Sequence, residues 1–417
     1  MTARTAAERL GVDVRTLYAY VSRGALRRVP GPDGRSSRYD ADELELLARR
    51  SRPRTLPRPA ASIDLVVATR VSTVTDGLVR YRGTDLLDLV KAEMPFERVA
   101  DLLWLAEPAD ADADAAWEAS AAGEWPAIAI PGVIPVLHRF AIAIAAMPGP
   151  AMTGSAAAPA AAPGHAVADP TASTPAAAPV PDPVAAVSHD WPSCGRRAIA
   201  CLIEASGPAP GAAGAGVDDA DVDVDDARSV ARRLWRRWSP LPATPARVRA
   251  LDLALVLLAE HELALSTLSV RVAASARAAP ADCLLAGLST LSGSLHGGAA
   301  RTVHERLAAR EPLVTGFGHP VHRSSDPRVT PLLEAVRAVA TAEDRAALET
   351  AGRQAPHALN VDFALGALSY AARMPPEAAT AIFAIARVAG WIAHAAEEYR
   401  EPPLRFRGRT LRPGRTG

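Results

Sequence analysis

The sequence predicts an all-α body. From residue 227 onward the apolar positions recur with a 3.6-residue period through run after run. Alternating β-branched segments are scarce along the same stretch. Apolar residues make up 49% of 417, enough to bury a large core in two or three domains.

The first fifty residues read as a separate module. Thr5–Leu10 forms a short amphipathic helix, Gly11-Val12 a turn, and Asp13 caps a second helix reaching Tyr20 or Ser22. Pro30-Gly31-Pro32-Asp33-Gly34 makes a tight turn between Leu26–Val29 and Ser36–Tyr39, giving a two-stranded wing, and Asp40–Arg50 reads as a third helix. This order of helix, turn, helix, wing and helix resembles the winged helix-turn-helix of the MerR regulator family. The resemblance implies DNA contact through Arg15, Thr16, Tyr18, Arg23, Arg27 and Arg28. The competing reading is a helical appendage with solvated arginines. Residues 51–64, with Pro53, Pro57 and Pro59, form a linker.

Alternation on either side of Asp76-Gly77 predicts a small hairpin, and Val99–Leu105 closes the helix after it. Three stretches, at about 109–117, 148–190 and 207–226, are rich in Ala with Asp, Pro or Gly. They are expected to stay unpacked, because they bury too little apolar surface to offset ordering entropy. Val133–Met147, between two of them, is apolar enough for a helix. Asp226–Trp238, Pro245–Ala274, Leu284–Leu291, Ala299–Ala309, Val329–Val339, Phe363–Met374 and Pro376–Glu398 supply the remaining helices.

Composition removes several functional classes. Net charge is zero and the pI near 7.2, so no global field draws nucleic acid or an anionic membrane, and a DNA contact needs a local patch. Cys194, Cys201 and Cys283 fit neither a zinc motif nor a disulfide framework, which points to a reduced, cytoplasmic chain with no metal centre. The N-terminus lacks a signal-peptide apolar core. The apolar runs near 251–265 and 379–395 carry Glu260, His261 and Arg387, so they read as core helices and not membrane spans. Lys91 is the one lysine, which argues against Schiff-base chemistry. His261-Glu262 lacks the second histidine of a zinc protease, and Gly293–Gly298 lacks the Lys-Ser or Lys-Thr of a phosphate loop.

Three motifs concentrate titratable side chains beside glycines or at helix starts: Leu295-His296-Gly297-Gly298-Ala299, Gly316-Phe317-Gly318-His319 with Asp326-Pro327-Arg328, and Asn360-Val361-Asp362-Phe363. Together with Tyr81-Arg82-Gly83-Thr84-Asp85, Glu260-His261-Glu262 and Arg387–His394, they resemble the citrate synthase family in order and spacing. Glu260, Ser294, Pro320 and His322 depart from its pattern. The resemblance implies a large helical domain over 65–295 and 388–417 and a small one over 296–387.

It also implies a condensation of acetyl-CoA or propionyl-CoA with oxaloacetate, followed by thioester hydrolysis. The acyl-CoA is a co-substrate, and no cofactor is expected. Asp362 is the expected base, His296 the neutral donor to the enolate oxygen, and His319 the donor to the ketone of the acceptor. His261, Arg328 and Arg387 are expected to hold the acceptor. Arg407 would reach it from the partner subunit of a homodimer, although Gly408 stands where the family has proline, which leaves Arg405 and Arg409 open. On spacing alone, Asp362 reads instead as the cap of a helix starting at Phe363, and His296 as a turn histidine. A functional alternative is a metabolite-responsive DNA-binding regulator on an inactive synthase body.

Overall fold

The computed structural model describes residues 2–10, 14, 17–18, 21, 26, 29–30, 37–39, 65–75, 77–105, 112–121, 134–147, 189–207, 229–293, 296–318 and 325–407. The chain divides into two compact units, residues 1–67 and 68–417. In the first, helix α1 (Ala3–Leu10) precedes a two-stranded antiparallel ladder, β1 (Val29–Pro30) with β2 (Ser37–Arg38), in the register Val29↔Arg38. Its small core gathers Ala6, Ala7, Leu17, Leu26 and Tyr39. The third helix expected over 40–50 and the linker lie outside the described residues.

The second unit opens with the expected hairpin. Strands β3 (Ser72–Thr75) and β4 (Leu78–Tyr81) pair as Thr75↔Leu78, and Gly77 takes the positive φ of 80° that the two-residue connection demands. Strand β5 (Thr84–Asp85) completes a three-stranded sheet, and Asp85 caps α2 (Leu86–Lys91) by accepting from Leu87 N. Thereafter the chain is helical: α3 (Phe96–Leu105), α4 (Asp112–Ala121), α5 (Val136–Ala145), α6 (Trp191–Ala205), α7 (Val230–Trp238), α8 (Pro245–Leu258), α9 (Leu265–Ser275), α10 (Pro280–Leu291), α11 (Ala299–Ala309), α12 (Val329–Val339), α13 (Ala342–Gln354), α14 (Val361–Ala371) and α15 (Glu377–Glu398).

Local chemistry explains most of the boundaries. Ser229 and Asp190 cap α7 and α6 through their side chains, and proline opens α8 and α10, where the missing N–H costs nothing. A reciprocal Thr341–Asp344 capping box starts α13, a helix the periodicity did not single out. The run 245–274, expected as one helical region, is two helices. The chain turns at Glu262, whose φ is 52°, and the Glu262 carboxylate accepts from Val74 N, tying the break to the sheet.

The Ala/Asp stretch near 109–117 departs from expectation, because residues 112–121 are helical. One side chain accounts for much of this. Trp117 stacks on Trp104 with 5.8 Å between ring centroids and donates its indole N–H to the buried Asp101, which also pairs with Arg196 at 2.7 Å. Gly195 lets α6 approach this cluster, since a Cβ there would lie 2.5 Å from the Trp104 ring.

Helix α15 runs through the core. It is long and apolar enough to cross a membrane, yet 94% of its apolar window is buried against the other helices. Trp104 donates to Ala389 O from α3, and Trp391 is fully buried. Helices α11 and α14 cross at Gly366, where a Cβ would meet Ala300 O at 2.6 Å and Val303 at 2.7 Å. Both belong to α11, and neither a backbone carbonyl nor the Cβ of a branched side chain can yield without moving the helix. Gly366→Ala is therefore expected to lower unfolding free energy by about 1–3 kcal/mol, despite alanine's better helix propensity. Urea denaturation checks this, and an unchanged midpoint would show that the helices can move apart at little cost.

Candidate active site

The site is built along one face of α15. Arg387, 3% exposed, lies over the Phe383 ring at 5.0 Å, and Phe383 meets the His296 ring edge-on at 6.4 Å. One turn earlier, Thr380 donates to Gly297 O, fastening the glycine-rich turn that carries His296. The turn itself leaves α10, His296 N donating to Gly293 O, and enters α11 at Ala299. A Cβ at Gly297 would lie 2.4 Å from Leu291 O, so the tight turn requires glycine there.

His296 exchanges a 2.9 Å hydrogen bond between Nε2 and Oγ of the buried Ser266 on α9. Burial, helped by the charge on Arg387, lowers its pKa, so the ring is neutral at physiological pH and still carries one N–H to donate. Nothing in the sequence distinguishes Ser266 from Thr267 and Ser269, the other hydroxyl residues of the same helix start.

Asp362 sits in the first turn of α14 but does not cap it. Asn360 does, its Oδ1 accepting from Asp362 N and Phe363 N, which leaves the Asp362 carboxylate uncommitted to the helix end. Burial pushes the Asp362 pKa up to about 6. The charges of Arg328 and Arg387 pull against this, and Asp326 adds to it. A carboxylate of this kind is a stronger base than an ordinary aspartate and remains ionised at neutral pH.

Asn360 also anchors the loop ahead of His319. Its Nδ2 donates to Gly318 O, its backbone N to Gly316 O, and Gly318 N donates to Ala358 O, around an antiparallel bridge between Phe317 and Leu359. Gly316 and Gly318 hold φ of 90° and 71°, which glycine alone adopts freely. His319 itself lies outside the described residues, as do Arg15, Thr16, Arg23, Arg27 and Arg28 of the first unit. Tyr18 is described, on the surface of that unit at 49% exposure.

The two buried arginines near Asp362, Arg328 and Arg387, differ. Arg328 is already engaged: Nε and Nη2 form a two-point clamp on Asp326 at 2.9 and 2.8 Å, and Asp326 Oδ2 also accepts from Val361 N at the start of α14. Arg387 has no hydrogen-bond partner at Nε or Nη1 among the described residues, its nearest carboxylate oxygen being Glu260 Oε2 at 3.8 Å from Nη1. Burial, together with the like charge of Arg328, lowers its pKa, and Glu260 opposes that. His261 is buried beside Glu260, just past the end of α8. Arg407 is exposed. Arg405 is held by Glu398, with both contacts at 2.6 Å. No group of three or more His, Cys, Asp or Glu side chains is placed to hold a metal among the described residues.

A neutral histidine, a basic carboxylate and a buried, open guanidinium therefore share one neighbourhood with Arg387 at its centre. This is a helical fold whose site suits proton abstraction next to a bound carboxylate. The family model "Citrate synthase, C-terminal domain" matches residues 64–311 and 300–414, and "Helix-turn-helix domain" matches 1–52. The chain belongs to the citrate synthase family and carries an N-terminal helix-turn-helix domain.

"Putative citrate synthase 2" of Mycobacterium tuberculosis is 34% identical over 203 residues, 42% of this chain and 54% of that protein. "2-Methylcitrate synthase 2" of Corynebacterium glutamicum is 32% identical over 212 residues, 43% and 55% of the two chains. The chain thus spans about half the length of the curated relatives it matches. Among solved structures, citrate synthase from Thermotoga maritima superposes with a TM-score of 0.59 at 18% identity, over 84% of this chain and 94% of that one. A citrate synthase from Thermoplasma acidophilum, solved as a ternary complex with carboxymethyl coenzyme A and oxaloacetate, gives a TM-score of 0.56 at 19% identity, over 84% of this chain and 94% of that one.

Proposed function

We propose that this protein is a citrate synthase-type condensing enzyme that joins an acyl-CoA to a 2-oxo dicarboxylate. Acetyl-CoA, oxaloacetate and water would give citrate and CoA, and propionyl-CoA the methyl homologue. The observation that carries the reading is the opposed tuning of Asp362, raised to about 6, and His296, lowered, around Arg387. Asp362 takes a proton from the carbon next to the thioester, and His296 donates to the enolate oxygen that forms. The carbon nucleophile bonds to the ketone carbon of the acceptor. His319, whose role rests on the family resemblance, protonates the resulting alkoxide. Water then cleaves the thioester and CoA leaves as the thiol. His261 and Arg387 hold the acceptor, Arg328 adds its charge and the Nη1 that its clamp on Asp326 does not use, and the reaction needs no cofactor beyond its acyl-CoA co-substrate. The Thermoplasma relative's complex with carboxymethyl coenzyme A and oxaloacetate supports this substrate class.

The test is release of free thiol from acetyl-CoA or propionyl-CoA in the presence of oxaloacetate. Release with either supports the reading, and none with either, from correctly folded protein, rejects it. The ratio of the two rates assigns the acyl chain, which one methylene distinguishes by about 1–3 kcal/mol.

The enzyme is proposed to be a cytoplasmic homodimer in which Arg407 completes the partner's site. Helix α9 presents Leu265 and Val272 to solvent at 65% and 45% exposure, and Leu404, 52% exposed, donates its N–H to Ser275 O at the end of that helix. Sedimentation gives the oligomeric state. Arg407→Ala mixed with Asp362→Asn should regain activity if sites are shared between subunits, and no regain would oppose it.

DNA binding by the first unit is a second, compatible activity, favoured by the helix-turn-helix match and the β1–β2 wing. Salt-dependent retention of promoter DNA, lost when residues 1–50 are deleted, is the expected result, and no retention at low salt would oppose it.

A further inference from the structure

We infer that Glu260 is the positioning residue for Arg387, balancing its charge without occupying its donors, and so sets affinity for the 2-oxo acid. The inference rests on the condensing-enzyme reading and adds a residue to it.

Glu260 is fully buried, and its two oxygens are used differently. Oε1 accepts from Ser72 Oγ at 3.1 Å and lies 3.1 Å from His394 Nε2. Oε2 has no hydrogen-bond partner among the described residues and lies 3.8 Å from Arg387 Nη1. At that separation the carboxylate stabilises the buried guanidinium through space, yet Arg387 keeps Nε and Nη1 open. Arg328 shows the alternative, a guanidinium whose Nε and Nη2 are consumed by Asp326.

The carboxylate is held in this posture from two sides. Arg271 Nη1 lies 2.7 Å from His394 Nδ1, and a guanidinium can only donate. Nδ1 is therefore the acceptor, and His394 presents Nε2–H to Glu260 Oε1. Arg271 is itself fixed by Glu398 and Glu397 at 2.9 and 2.7 Å. On the other side is Gly390, one turn after Arg387 on α15. A Cβ at 390 would lie 2.0 Å from Glu260 Oε2 and 2.7 Å from Ala259 O. Position 390 is thus shaped around the very oxygen that faces Arg387.

Steady-state kinetics of the full-length protein, with each substrate varied in turn, tests this. Glu260→Gln keeps the volume and removes the charge. It is expected to raise KM for oxaloacetate about tenfold to hundredfold, with kcat and the acyl-CoA KM within about threefold of wild type. Gly390→Ala, which displaces the same oxygen, should move the oxaloacetate KM in the same direction. Glu260→Asp, which restores the charge, should recover most of the loss. An oxaloacetate KM in Glu260→Gln close to that of wild type would overturn the inference. So would parallel losses in kcat and both KM values that Glu260→Asp fails to rescue, since that pattern marks general damage to the fold. If Glu260→Gln does not fold, the Gly390→Ala and Glu260→Asp pair decides by the same criteria. An inactive wild type would defeat the condensing-enzyme reading instead. Calorimetric titration of oxaloacetate into wild type and variants then tests Glu260 on binding alone.

Discussion

Asp362→Asn is expected to abolish turnover while making the folded protein more stable at neutral pH. Loss of a general base costs about 10²–10⁴-fold in rate. The stability gain follows from the raised pKa. An unfolded aspartate ionises near its ordinary value of 3.8, while in the fold it holds its proton to about 6. Between those values the native state binds more protons than the unfolded state, so stability falls as pH rises through this window, and the deficit persists above it. Asparagine removes that deficit, by about 1–3 kcal/mol once the partial exposure of the carboxylate is allowed for. The gain should therefore be full at pH 8 and vanish below pH 4, the lower end of the shift. Denaturation of both proteins at the two pH values measures it. An aspartate important only to the structure would give the opposite sign. The wild-type rate should fall on the acid side with an apparent pKa near 6 as the base becomes protonated.

The second large effect is expected at His296. Removing a pre-aimed donor to a developing oxyanion costs about 10²–10³-fold in kcat. His296→Ala should lose that much with little change in the oxaloacetate KM, because Arg387 and Arg328 remain in place. Ser266→Ala is expected to cost far less, since it loosens the ring's orientation and leaves the N–H. Equal losses in the two variants would mean that the histidine merely supports the turn.

Much of the scaffold was legible because it is local. The 3.6-residue period located α11 and α12 to the residue, and the Asp76-Gly77 dipeptide located the hairpin. Other features were not legible. The 245–274 run gave no sign that Glu262 would adopt a left-handed conformation and split it, because that turn is stabilised by contacts to Ser72 and Val74, nearly two hundred residues away. The Ala/Asp segment looked too poor in apolar surface to fold, and periodicity cannot weigh a single tryptophan that finds Asp101 and Trp104 across the chain. On spacing, Asp362 suited a helix cap. The cap is Asn360, a difference of two residues decided by which side chain the entering backbone angle favours.

The sequence by itself determined that the body is helical, that a separate helix-turn-helix precedes it, and that His296, Arg328, Asp362 and Arg387 stand in motifs that resemble, in order and spacing, those of the citrate synthase family. Those properties reside in residue types and intervals along one dimension. Only the tertiary structure decided which arginine is open and which is clamped, that Asp362 is basic and His296 neutral, and that Gly390 makes room for Glu260. Each of these depends on burial and on charges brought within a few ångströms from distant segments. Electrostatic interaction varies with distance and local dielectric, neither of which is written in the interval between two residues.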